Sequence, residues 1–172
     1  MTAEPSSPEP RDPVDQQGRT SARLAAAQAL YQIEASGNEP DAVIKDFLMG
    51  KVGSLAVVVD ADTAQESVVA LAELDSELFI GLIRCVQERE AEIDGMIRES
   101  LSKEWPMERL EMILRAILRA GVAEFLTRTD IPASVTVNEF IDVAHAFYPG
   151  AEPRMVNAVL DRIGKALGRF GT

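Results

Sequence analysis

Apolar side chains recur every three or four positions between residues 110 and 126, and this run constrains the fold more than any other part of the sequence. Its members are Leu110, Ile113, Leu114, Ile117, Leu118, Val122, Phe125 and Leu126. Such spacing places all of these side chains on one wide face of an α-helix. The run therefore predicts an amphipathic helix with a broad buried face.

The same helical spacing continues along most of the chain and favours an all-α fold. Further helices are predicted over residues 20–35, 41–49, 75–101 and 135–147, and a last one begins near Pro153. The hydroxyls of Thr20 or Ser21, and later of Ser134, are the predicted N-caps, because serine and threonine accept the free amides of a first helical turn. Trp105 and Pro106 separate the third helix from the fourth.

Two stretches do not follow this pattern. Residues 1–18 contain four prolines among polar residues, which predicts a disordered leader followed by a helical domain over residues 19–172. Within residues 51–62, the run LAVVVD has the β-branched content of a strand. Because no second strand is evident for it to pair with, a loop or a helix entry is the preferred interpretation.

The charges are distributed unevenly along the chain. The net charge is −11, with a net −13 in residues 32–152 and +3 in residues 153–172. At physiological salt, charges are screened over about 8 Å, so the local field decides whether a phosphate can approach. The C-terminal end is therefore a candidate for contact with nucleic acid, in spite of the acidic total.

The residues needed for catalysis or metal binding are scarce. Cys85 and His145 are the single cysteine and histidine, which excludes a zinc site built from these two residue types. Cys85 is interpreted as an inert buried thiol and His145 as a structural or surface residue. We expect no enzyme activity, no cofactor, no metal and no membrane segment, with the cytoplasm as the default location.

Two pairs of polar residues are candidates for binding RNA. Arg19 and Arg23 lie four apart near a predicted helix start, where the helix dipole favours a phosphate. They can also be two solvated arginines at a frayed helix end. Arg154 and Asn157 lie near the start of the last helix, where arginine can bind phosphate and asparagine can read a base edge. Asn157 can instead be a cap or an interhelix hydrogen-bonding residue.

Several sequence blocks, taken in order, carry a resemblance to a known family. They are ARLAAAQALY at 22–31, AILRAGVAEFL at 116–126, Ile131-Pro132, Val137-Asn138-Glu139 and MVNAVLD at 155–161. This ordered set resembles the NusB family of bacterial transcription antitermination factors and covers about residues 19–168. The resemblance implies two packed three-helix bundles that bind single-stranded boxA RNA together with the ribosomal protein NusE. It also implies that the RNA is nascent ribosomal RNA and that the complex joins the elongating RNA polymerase with other Nus factors.

The resemblance further implies which positions contact each partner. The implied RNA-binding residues are Arg19, Arg23, Tyr31, Arg154, Met155 and Asn157. The predicted partner-binding residues are Tyr31, which the resemblance places near NusE, and Glu111, Arg115 and Arg119, which lie four apart on the outer face of the fourth helix. Met155 stands where family members often have an aromatic residue that can stack on a base.

Two alternative functions stay open at this point: a helical accessory domain for RNA modification, and a protein-interaction module that does not bind RNA. A homodimer is also possible.

Overall fold

The computed structural model describes residues 13–50, 58–59, 66–67 and 74–170. Its helices are α1 (Pro13–Ser36), α2 (Pro40–Leu48), α3 (Ser76–Ser100), α4 (Met112–Thr127), α5 (Ala133–Phe147) and α6 (Glu152–Ala166). A short 3-10 turn, Met107–Arg109, precedes α4. The predicted all-α class is confirmed.

The helices pack as two groups of three. Helices α1, α2 and α3 contact one another, as do α4, α5 and α6, and α4 joins the two groups by packing against α1 and α3. Many of the buried side chains of α1 are alanines, including Ala22, Ala26 and Ala29. Small side chains at a helix contact allow a short interaxial distance, so α1 can lie close to its neighbours. This is the predicted arrangement of two three-helix bundles.

The beginning of α1 differs from the prediction. The helix starts at Pro13, so residues 13–18 are helical and the predicted disordered leader is wrong for them. Residues 1–12 of that leader lie outside the described residues. Proline fits the first turn of a helix because its missing amide would have no partner there. The carbonyl of Gly18 also accepts a hydrogen bond of 3.1 Å from the amide of Asp75, which holds this part of α1 against the start of α3.

The predicted N-caps have mixed outcomes. Thr20 lies inside α1 and is not its N-cap. Its hydroxyl oxygen lies 3.1 Å from the carbonyl oxygen of Gln16 and 2.9 Å from Oε2 of Glu139, and these oxygens are its hydrogen-bond acceptors. Ser134 is also not a cap, because α5 already begins at Ala133 after Pro132. Pro153 does lie in the first turn of α6, as predicted.

The segment with β-branched content, LAVVVD, contains a strand that pairs with a second strand. Val58–Val59 (β1) pairs antiparallel with Glu66–Ser67 (β2), with Val59 opposite Glu66. The preferred interpretation as a loop or helix entry is therefore wrong at residues 58–59, and the rest of residues 51–62 lies outside the described part. The partner strand was missed because Glu66 and Ser67 have little β-propensity of their own.

No helix within the described ranges is long and apolar enough to cross a membrane.

Candidate nucleic-acid interface

Arg23 lies inside the protein and is not part of the surface. Its side chain is 2% exposed, and Nε lies 2.7 Å from Oε1 of Glu124, which is itself fully buried. Thr136 donates its hydroxyl to the second carboxylate oxygen of Glu124, and Nη1 of Arg23 lies 3.4 Å from Oε2 of Glu139. The prediction that Arg23 faces RNA is wrong in this structure, because its guanidinium neutralises a buried carboxylate where α1 meets α4 and α5.

Arg19 lies nearer to solvent, with a side chain that is 19% exposed and Nε at 3.8 Å from Oδ2 of Asp75. One of its terminal nitrogens, Nη1, is buried and has no hydrogen-bond partner in the described part of the chain. Neither arginine lies at a helix N-terminus, because α1 begins at Pro13. The helix dipole therefore does not favour phosphate binding at these two arginines, contrary to the prediction from the sequence. Of the two, only Arg19 is exposed enough for its side chain to contact a phosphate.

The predicted residues at the start of α6 differ in exposure. Arg154 and Asn157 are exposed, whereas Met155 is 7% exposed. Neither Arg154 nor Asn157 forms an ion pair or side-chain hydrogen bond with any residue that the structure describes, so the cap or interhelix role for Asn157 is not observed there. Met155 packs in the core, and only a small part of its side chain reaches the surface.

Helix α5 contacts both regions predicted to bind RNA, namely α1 near Arg19 and the start of α6. Its Glu139 contacts Thr20 of α1, and its His145 lines a cavity of about 240 Å³ together with Arg154 and Asn157 of α6. Glu139 and His145 are separated by about 9 Å of helix rise.

A larger groove brings three of the predicted partner-binding and RNA-binding residues together. It has a volume of about 740 Å³ and is lined by Gln28, Tyr31, Leu110, Glu111, Met112, Ile113, Arg115 and Phe147. Tyr31, Met112 and Phe147 are large apolar side chains that remain exposed, at 44%, 41% and 37%. Exposed apolar side chains that line one groove, with charged residues at its rim, are typical of a protein-binding surface.

Charged groups hold the walls of this groove in place. Glu34 accepts hydrogen bonds from Arg115 Nη2 at 2.6 Å and from Arg119 Nη1 at 3.0 Å, which ties α1 to α4. Glu111 accepts one of 2.8 Å from the hydroxyl of Tyr148. Burial and this hydrogen bond raise the pKa of Tyr148.

Arg119 serves the packing of the helices. It forms a two-point contact with Asp94 of α3, at 2.8 and 2.9 Å, and its side chain is 11% exposed. Burial by itself lowers the pKa of Arg119, but the hydrogen bond to Asp94 and the nearby Glu34 and Glu90 outweigh it and raise the pKa overall. Because its nitrogens are engaged in this way, the prediction that Arg119 binds a partner is not supported by its position.

Sequence reasoning did not find several residues of these surfaces. Met112 and Phe147 belong to the groove although neither was named as a candidate, and His145 lines the cavity beside Arg154. The apolar spacing of α4 gives no sign that Met112 faces outward at its first turn. Among the residues that the structure describes, no group of three or more histidine, cysteine or acidic side chains is placed to hold a metal ion.

Comparisons with known proteins agree on one family. A family model described as the NusB family matches residues 20–165. The transcription antitermination protein NusB of Rhodospirillum rubrum is 45% identical over 164 residues, which cover 90% of this chain and 89% of that protein. The protein of the same name from Mesorhizobium japonicum is 42% identical over 150 residues, covering 86% of this chain and 88% of that one.

Solved structures show the same fold. A NusB structure from T. maritima has a TM-score of 0.64 with 25% identity, covering 91% of this chain and 93% of that one. A structure of the antitermination factors NusB and NusE in complex with double-stranded RNA matches with a TM-score of 0.63 and 24% identity, covering 87% of this chain and 98% of that one.

Proposed function

The chain belongs to the NusB family, and from that premise we propose that it is a transcription antitermination factor that binds boxA-type single-stranded RNA together with NusE. The complex then joins the elongating RNA polymerase in the cytoplasm. The role is one of binding and assembly, without a catalytic step.

The observation that carries the RNA part of this proposal is the exposed pair Arg154 and Asn157 at the start of α6. A guanidinium without an ion pair in the described part of the chain is available to a phosphate, and an exposed amide is available to a base edge. Both side chains line the same cavity as His145. Arg19, whose side chain is 19% exposed, is the second residue proposed for a phosphate contact.

The groove around Tyr31 and Met112 supports the partner part of the proposal. NusE is a ribosomal protein, and a basic surface on it would suit Glu111 in the groove lining and the net charge of −13 in residues 32–152. Complementary charge speeds and orients the encounter, whereas the apolar side chains of the groove contribute most of the affinity.

Binding of a labelled boxA-type single-stranded RNA, followed by fluorescence anisotropy with and without NusE at several salt concentrations, tests the proposal. We expect weak binding by the chain alone, because its net charge is −11, and much tighter binding in the presence of NusE. Arg154→Gln should lower the slope of log K against log salt by about 0.7, the value for one phosphate contact on a single strand. Lys45→Gln, which removes the same charge from α2, serves as the matched control.

The proposal fails if wild-type protein with NusE does not bind this RNA at low salt. It also fails in its placement of the RNA if Arg154→Gln and Lys45→Gln have the same salt slope as wild type.

A further inference from the structure

A cavity between the end of α3 and the outer face of α6 has no role in the function described so far. Its volume is about 310 Å³, and its walls include Trp105, Arg154 and Arg162. Met155 and Val159, both buried, form an apolar part of the lining. Arg154 also lines the smaller cavity with Asn157, so the two cavities are neighbours that share this residue.

The side chains that line this cavity offer an aromatic ring, positive charge and hydrogen-bonding groups. Trp105 is half-buried against the core and offers an indole ring at the cavity wall. Nη1 of Arg162 donates a hydrogen bond of 2.9 Å to the carbonyl of Ser100, which fixes the guanidinium at the end of α3 while its side chain remains exposed. Glu104 and Ser102 bring a carboxylate and a hydroxyl to the same lining.

This combination matches an unstacked nucleotide better than it matches a peptide or a small metabolite. Every nucleobase has a π-face that stacks on an aromatic ring, and single-stranded RNA is recognised mainly through bases splayed out in this way. Guanidinium groups bind the flanking phosphates, and a carboxylate accepts hydrogen bonds from exocyclic amines. The α6 side of the cavity belongs to residues 153–172, which carry a net +3.

We propose that this cavity receives one unstacked nucleobase of a bound single-stranded RNA, with Trp105 against the base and Arg154 and Arg162 at the neighbouring phosphates. The inference rests on the proposed function, since it extends the RNA contact beyond Arg154 and Asn157 to the junction of α3 and α6. It assigns a role in binding to Trp105 and Arg162, which the sequence indicated only as a helix break and as part of a basic end.

Trp105 is the single tryptophan of the chain, so its intrinsic fluorescence reports on binding in the cavity. Unlabelled boxA-type RNA is titrated into the complex with NusE while intrinsic fluorescence is recorded, and the same titration with Trp105→Phe corrects for any signal from NusE. We expect quenching of Trp105 that saturates at the RNA concentration at which anisotropy saturates. Binding seen by anisotropy without any change in Trp105 fluorescence overturns this inference and leaves the proposed function standing. Absence of binding by anisotropy overturns both.

A surface variant gives a second test that does not depend on changing Trp105. Arg162→Gln should weaken RNA binding by roughly threefold to tenfold, whereas Lys165→Gln, on the same helix but outside the cavity lining, should leave it unchanged. Equal affinities of the two variants overturn the inference.

The base-stacking step is tested with RNAs that carry one abasic nucleotide at successive positions. One position should lose affinity in the wild-type complex and lose none in the Trp105→Leu complex, because the stacking partner is already gone. If every abasic position has the same effect in both proteins, no base lies on Trp105. Should Trp105→Leu fail to fold, the fluorescence titration and the comparison of Arg162→Gln with Lys165→Gln still test whether the cavity binds a nucleobase.

Discussion

Arg23 and Glu124 lie 101 positions apart in the sequence and form an ion pair that is almost completely excluded from water, with Nε and Oε1 2.7 Å apart. A buried charge without a partner is far more costly than a neutral group in the same place. The pair therefore fixes how α1 docks on α4, and an arginine that sequence spacing assigned to RNA has a structural role.

Removing one member of this pair should strongly destabilise the fold. We expect Arg23→Ala to lower the free energy of unfolding by about 3–5 kcal/mol, because Glu124 remains buried without its counter-charge. Urea unfolding followed by far-UV circular dichroism measures the loss. In the double variant Arg23→Met with Glu124→Met, the buried carboxylate is removed together with its counter-charge. Among the residues that the structure describes, the only ion-pair partner lost is that of the partly exposed Glu139, so much of the stability should return.

The same double variant separates a structural role from RNA binding. Once folded, it should bind boxA-type RNA with the salt slope of the wild-type protein. A slope lower by about 0.7 would show that Arg23 makes a phosphate contact after all.

Met112 should be important for binding NusE, because it is an exposed apolar side chain inside the proposed groove. We expect Met112→Lys to weaken the complex by at least about 1 kcal/mol, since it places a positive charge in an apolar contact with a basic protein. Isothermal titration calorimetry with purified NusE measures the effect.

Met49 provides the matched control for this substitution. It is a second exposed methionine, 58% exposed against 41% for Met112, and it follows α2 outside the groove lining. Met49→Lys should bind NusE as tightly as wild type does. If both lysine variants weaken binding equally, the groove is not the docking surface.

Two helical glycines should respond to alanine in opposite directions. A Cβ at Gly164 would lie 2.5 Å from Cε2 of Phe170 and 3.2 Å from Cζ of Phe125, so Phe170 has to give up its packing. We expect Gly164→Ala to cost about 1–3 kcal/mol of stability. At Gly95 nothing lies within 4 Å, and alanine should add about 0.5–1 kcal/mol through helix propensity. Thermal unfolding of both variants checks the signs, and a stable Gly164→Ala protein would mean that Phe170 does not pack there.

The helices were predictable because their signal is local. The apolar spacing in residues 110–126 repeats within a few residues, and α4 indeed occupies Met112–Thr127. The start of α1 was not predictable in the same way, because residues 13–18 are held by a contact between Gly18 and Asp75 that local composition does not report.

The sites were predictable only where a residue's position along its helix decides its exposure. Arg154 and Asn157 are exposed as the site requires, and Tyr31, Glu111 and Arg115 lie around one groove. The burial of Arg23 depends on carboxylates from α4 and α5, and the place of Trp105 beside Arg162 depends on the packing of α3 against α6. Pairings between distant segments leave no periodic signal in the sequence.

The short turn between α4 and α5 should make stability depend on pH in the acidic range. Arg128 Nη2 lies 2.9 Å from Oδ2 of Asp130, and this hydrogen bond lowers the pKa of Asp130 from 3.8 to about 2. Because the folded-state pKa is below the ordinary value, the ionised carboxylate stabilises the fold above about pH 4. That contribution is lost as the pH falls from 4 towards 2.

We therefore expect Asp130→Asn to be less stable than wild type at neutral pH and to approach it as the pH falls to 2. The side chain of Asp130 is 58% exposed, so solvent screening limits the difference to less than about 1 kcal/mol. Urea unfolding of both proteins across this range measures it. In an Arg128→Gln background most of the pH dependence of the difference should disappear, because the main cause of the low pKa has been removed. A difference that persists unchanged in that background would assign the effect to another neighbour of Asp130, of which Arg19 is the first to test.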